Sequence, residues 1–153
     1  MGSNITTQVH NLQTNLYTIR KVAGISEDEL GKNIGLSRQT IHNLEKNKTN
    51  MTVTQYIALR IALDKYIEKH PENNYLPLVI ELLVDNKDLS KKDYAHVQEA
   101  IASASSVVSS KQMYSVLKII FSTLSIAIPL LLPLLTATTL TKTDWLDDIF
   151  KKK

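Results

Sequence analysis

The chain of 153 residues has no cysteine, which excludes disulfide frameworks, thiolate metal sites and a cysteine nucleophile. Histidine is sparse as well. His10, His42, His70 and His96 stand apart, and no two share metal-ligand spacing. The sequence carries no Gly-rich phosphate loop and no nucleophile–base arrangement. Neither a catalytic residue nor a metal nor a cofactor is therefore expected, and Asp144, Asp147 and Asp148 read as solvated acids of the tail. No apolar stretch follows the N-terminus, so no secretory signal is expected and that end is assigned to the cytoplasm. Alternating strand patterns and internal repeats are also missing. With 43% hydrophobic and 22% charged residues, the chain can form one ordinary domain or two small ones. Its periodicity is helical, so the expected class is all-α.

Charge and composition divide the chain. Residues 1–66 carry eight Lys/Arg against five Asp/Glu, whereas residues 67–153 balance at ten of each. All of the excess positive charge lies in the first half, as a phosphate-contacting module requires. A Pro/Asn break at residues 70–74 ends the first segment. The expected organisation is a first unit over 1–69, a helical connector or oligomerisation region over 75–112, an apolar segment over 113–141 and an amphipathic charged tail over 142–153. Within the connector, residues 76–84 read as a short apolar helix, and a longer helix begins near Ser90. The Ala/Ser-rich run at 100–110 suits close helix packing or a loosely solvated helix.

Glycine is rare, with 4 in the chain, so its positions inform. Leu12, Leu16 and Ile19 make one apolar helical face, and Gly24 closes that helix in the left-handed conformation. Ser26 caps a second helix and forms a capping box with Glu29; Leu30 and Ile34 face the core. Gly35 makes a tight turn. Ser37 caps a third helix that buries Ile41 and Leu44, and Asn47 ends it. Val53, Tyr56, Leu59 and Leu63 supply a fourth stripe. Counting Glu27 as position 1, a small residue falls at position 5 (Gly31), glycine at 9 (Gly35), and apolar residues at 15 (Ile41) and 18 (Leu44). Two short helices cross steeply only if position 5 is small and the turn is glycine-like.

This pattern, carried by SEDELGKNIGLSRQTIHNLEKNKTN, resembles the phage-repressor family (Cro/CI, or XRE) of helix-turn-helix DNA-binding domains over about residues 12–66. The resemblance implies a five-helix domain and a buried ion pair between Arg20 and Glu45. It also exposes departures. That family usually has Gln where Glu27 stands, its amide bonding a phosphate, and a carboxylate repels phosphate. Gly31 replaces the usual Ala, at a helix cost of about 1 kcal/mol. Asn47 and Met51 replace a usual Gly and Pro, both physically tolerable.

A recognition helix lays its N-terminal residues against base edges in the major groove. The outward positions here are Arg38, Gln39, His42 and Asn43. Gln39 and Asn43 share a face and suit adenine; Arg38 either reads guanine or holds a phosphate. His42 is a further candidate reader or simply an exposed polar residue. Ser37, Thr40, Lys46 and Lys48 are candidates for the DNA backbone. A double-stranded operator and a homodimer or higher oligomer are the expected partners, with half-sites about one helical turn apart. The functional expectation is a sequence-specific transcriptional regulator. The alternative is a protein-binding adaptor of antitoxin or immunity type that uses the motif for autoregulation.

Residues 119–141 form an uncharged run of 23 residues between Lys118 and Lys142. As one helix it would span about 34 Å, enough for a hydrocarbon core of about 30 Å, with Trp145 as an interfacial anchor. That reading places the chain at the inner face of the plasma membrane. Pro129 and Pro133 interrupt the run, and Lys151, Lys152 and Lys153 would fall on the wrong side of a single span. A helical hairpin and burial within an oligomer are therefore open alternatives. Trp145, Leu146, Ile149 and Phe150 line one side of a short amphipathic helix suited to a membrane or a partner.

Overall fold

A computed structural model describes residues 5–85, 89–136, 145, 146 and 149. All regular structure among them is helical: α1 Ile5–Thr14, α2 Leu16–Ala23, α3 Glu27–Ile34, α4 Arg38–Glu45, α5 Val53–Lys69, α6 Tyr75–Ile80, α7 Lys91–Val107, α8 Ser110–Ala127 and α9 Leu131–Thr136. A π-helical turn, Glu81–Asp85, prolongs α6.

Local chemistry sets most of these boundaries. The Ser26, Ser37 and Ser90 hydroxyls accept from the backbone N–H groups of Glu29, Thr40 and Asp93, satisfying donors that have no intrahelical partner. Thr52 and Gln55 close a capping box at α5. Gly24 and Gly35 both sit at positive φ, 76° and 75°. Asn47 is left-handed too, at φ 58°, with Asn47 N–H bonded to Leu44 O and Lys48 N–H to Asn43 O. This is a Schellman close with a side chain in a glycine's place. Asn47→Gly is accordingly expected to stabilise the fold by about 0.5–1 kcal/mol, measured as a rise in the urea midpoint at constant slope. A fall would mean that the amide side chain matters more than the backbone strain.

The continuous first helix expected through Leu12 and Ile19 is instead two, because Asn15 leaves helical geometry at φ −107°, ψ 12°. Its amide nitrogen donates back to Asn11 O one turn earlier (2.8 Å) and across the fold to the Tyr94 hydroxyl (3.1 Å), and its oxygen accepts from Gln98 Nε2 (3.0 Å). Val53, read as part of the α5 stripe, is 47% exposed, whereas Tyr56, Leu59 and Leu63 are buried. At the first helical position it lies beyond the edge of the core.

One hydrophobic cluster runs from Leu12 to Trp145. Helices α6 to α8 pack on α2 and the π-helical turn packs on α1, and a polar seam fixes their register. Asn11 Nδ2 donates to Val84 O (3.1 Å), Lys21 Nζ to Ser105 O (2.7 Å) and Asn73 Nδ2 to Val22 O (3.0 Å). Buried Arg60 pairs with Asp85, Nη1 to Oδ1 at 2.8 Å.

The expected membrane-crossing helix over 119–141 is not what forms. No helix among the described residues is long and apolar enough to cross a membrane. The helical run ends at Ala127, and Ile128 turns to φ −127°, ψ 83°, because the ring of Pro129 disfavours helical geometry in the residue before it. Met113, Leu117, Phe121, Leu124, Ile128 and Leu131 instead face the common core. Trp145 is no interfacial anchor either. It is 3% exposed, its Nε1 donates to Asp64 Oδ2 (2.8 Å), and it meets Tyr56 edge-on. Leu146 and Ile149 pack against the same core. Lys142, Phe150 and the three terminal lysines lie outside the described residues.

Candidate nucleic-acid interface

Helices α3 and α4 pack closely on each other through the turn at Gly35. A Cβ placed on Gly31 would lie 2.4 Å from Leu36 O and 3.3 Å from Ser37 O. The α3 backbone thus touches the backbone of the turn directly, and that contact sets the angle at which α4 leaves.

Two clamps hold α4 from behind. Arg20 on α2 donates through Nε to Glu45 Oε2 and through Nη2 to Glu45 Oε1 (3.1 Å), while its Nη1 donates to Ile25 O (3.0 Å). Burial pushes the Glu45 carboxyl above its ordinary pKa, against the pull of Arg20. The second clamp is Gln13. Its Nε2 donates to Leu44 O (3.1 Å) and Thr49 O (2.7 Å), and its Oε1 accepts from Met51 N–H (2.9 Å). One buried amide therefore ties down the end of α4 and the loop behind it. Sequence reading missed it. The available signal was a glutamine flanking the Leu12–Leu16 stripe, at a position that tertiary packing buries.

The opposite side of α4 is open. Arg38 and Gln39 are exposed, Thr40, His42 and Asn43 are half-buried, and Ser37, Lys46 and Lys48 are exposed. Gln39 Nε2 donates to Asn43 Oδ1 (2.9 Å), so the two amides form one polar surface. Ser37 and Thr40 hydroxyls bond each other at 2.8 Å. Lys46 and Lys48 stand beyond the C-terminus of α4, flanking Asn47.

Arg38 and His42 are drawn toward α3. Glu27 Oε2 lies 3.0 Å from His42 Nδ1 and 3.9 Å from Arg20 Nη2, and its Oε1 lies 3.7 Å from Arg38 Nε. Desolvation raises the pKa of this carboxyl, but hydrogen bonding with Glu45 and His42 and the charge of Arg20 outweigh it, leaving it below the ordinary value. From the sequence, Glu27 was a departure that costs one phosphate contact. In three dimensions it is the junction of two arginines and a histidine. No group of His, Asp or Glu that could hold a metal ion occurs among the described residues.

Comparison with known proteins agrees with this geometry. A search of curated proteins and of solved structures returned no match. A family model described as helix-turn-helix, of the XRE type, matches residues 16–69. That span runs from the start of α2 to the end of α5 and contains both clamps' contacts on α4. The match to the helix-turn-helix family is thus confined to residues 16–69, the part of the chain that carries α3 and α4.

Proposed function

We propose that the chain is a sequence-specific transcriptional regulator that lays α4 in the major groove of an operator. The observation that carries this reading is the pair Gln39 and Asn43. They lie one helical turn apart with their amides on the solvent side of a helix braced from behind. Each can bond adenine twice, for about 1–3 kcal/mol of discrimination. Arg38 reads a guanine or holds a phosphate beside them, with His42 at the edge of the same surface. Ser37, Thr40, Lys46 and Lys48 contact the backbone. A homodimer on a near-palindromic site is the binding form, since one short helix reads few base pairs.

Duplexes selected from a random pool, then measured against random duplex at several salt concentrations, test this. Gln39→Ala is expected to lower affinity for the selected duplex about tenfold and leave random duplex nearly unaffected. Lys48→Ala should weaken both and flatten the salt dependence by about one unit of slope. Equal losses on both duplexes from both variants would refute the assigned roles.

A second reading, an adaptor that uses the domain for autoregulation, is favoured by one feature. Ile119 and Ile126, seven residues apart on one side of α8, are 67% and 83% exposed, an apolar strip suited to a protein partner. Autoregulation also requires an operator; a domain kept purely for protein contacts would show only sequence-blind, salt-sensitive binding.

A further inference from the structure

The first turn of α3 carries three acids, Glu27, Asp28 and Glu29. They complement the helix dipole, yet they would repel a phosphate backbone approaching that helix end. Asp28 and Glu29 are exposed, with Asp28 paired to Lys32 one turn on at 3.4 Å. Glu27 is different: its side chain is only 13% exposed and lies between α2, α3 and α4. Of the three basic side chains around it, Arg20 is already engaged by Glu45 and Ile25 O. Arg38 and His42 are on the recognition helix, and the ion partner of each among the described residues is Glu27. Arg38 remains 65% exposed, within reach of solvent.

We propose, resting on the DNA-binding reading, that Glu27 is an internal stand-in for a DNA phosphate: it holds Arg38 and His42 in the free protein, and a phosphate must displace it from Arg38. The carboxylate holds Arg38 as an ion partner at 3.7 Å, so the exchange swaps one anion beside the guanidinium for another, and the phosphate can add the direct hydrogen bonds that Glu27 does not make. Its effect is to subtract from the sequence-independent part of the affinity. Base contacts by Gln39 and Asn43 are left to supply the difference, which suits a domain that must not linger on arbitrary DNA.

The test uses the full chain as wild type, Glu27→Gln, Arg38→Gln and the double variant, titrated with random duplex and with duplex selected by the wild type. Glu27→Gln is expected to bind random duplex about fivefold tighter, with a log–log salt slope steeper by about one. In the Arg38→Gln background that gain should shrink below about twofold. Glutamine keeps an acceptor for His42, and a thermal melt verifies that the fold is retained. Should Glu27→Gln not fold, Arg38→Gln against Lys48→Gln decides. An arginine already occupied should cost less random-duplex affinity on removal than the free lysine, and an equal or larger cost overturns the proposal. So does a Glu27→Gln protein that binds no tighter, or a gain that survives the loss of Arg38. A wild type that binds no duplex at all would instead remove the DNA-binding reading itself.

Discussion

Gly31→Ala is expected to destabilise the protein by about 1–3 kcal/mol, although alanine is the better helix former by about 1 kcal/mol. The new methyl carbon would meet Leu36 O at 2.4 Å, and Leu36 C and Ser37 O at 3.3 Å. All three atoms are backbone, so no side chain can swing aside. Relief requires α3 and α4 to move apart or the turn at Gly35 to deform, and that turn already ends α3 in the left-handed region. The steric term therefore outweighs the propensity term. Because the same contact sets the direction of α4, duplex affinity should fall as well, even at temperatures where the variant is folded. Urea denaturation of Gly31→Ala beside Lys32→Ala, an exposed control on the same helix, is the check. A variant as stable as the wild type would mean that the two backbones are not in contact.

Arg20→Met should cost about 3–5 kcal/mol, because it leaves a buried carboxylate without its partner. The loss should exceed that of Glu45→Gln. Arg20 also serves Ile25 O and lies 3.9 Å from Glu27, so removing it leaves two carboxylates facing each other, whereas removing the Glu45 charge leaves Arg20 its other partners. The pH dependence has a definite sign. Burial already places the Glu45 carboxyl above its ordinary value, and without Arg20 it should rise further. A carboxyl with a raised folded pKa takes up a proton more readily when folded. The deficit of Arg20→Met is therefore greatest near neutrality and shrinks as pH falls through that raised value. Replacing both residues, Arg20→Met with Glu45→Gln, should restore part of the loss, since no buried charge is then left without a partner. Chemical denaturation of the four proteins at two pH values measures this cycle. Equal costs for the two single variants, unchanged by pH, would show that the pair contributes only packing.

How far each feature could be read in advance depended on the range of the interaction. Ser26, Ser37 and Gly35 act on neighbours within a few residues, and their effect is visible in a short window. The stripe of Ile41 and Leu44 marks which side of α4 is buried, and by subtraction which side carries Arg38, Gln39 and Asn43. Gly31 was legible as small but not as obligatory, since helix propensity argues for alanine there and only the position of Leu36 O argues against it. The apolar run after Lys118 misled for a related reason at Phe121, Leu124, Ile128 and Leu131, which the core buries. Hydropathy measures a wish to leave water, and a protein core satisfies it as well as a bilayer does. Trp145 likewise finds Asp64 and Tyr56 on α5, across a long separation in sequence.

The amino-acid order alone determined that the chain is helical, where α3 and α4 begin and turn, and which polar residues α4 turns outward. These follow from caps, glycines and a period of 3.6, all local. Only the tertiary structure decided that Gln13 secures the loop behind α4, that Glu27 gathers Arg20, Arg38 and His42, and that α8, at the start of the apolar C-terminal run, packs on α2 and α7. Periodicity records that a side chain is covered, but its covering partner depends on how whole helices cross.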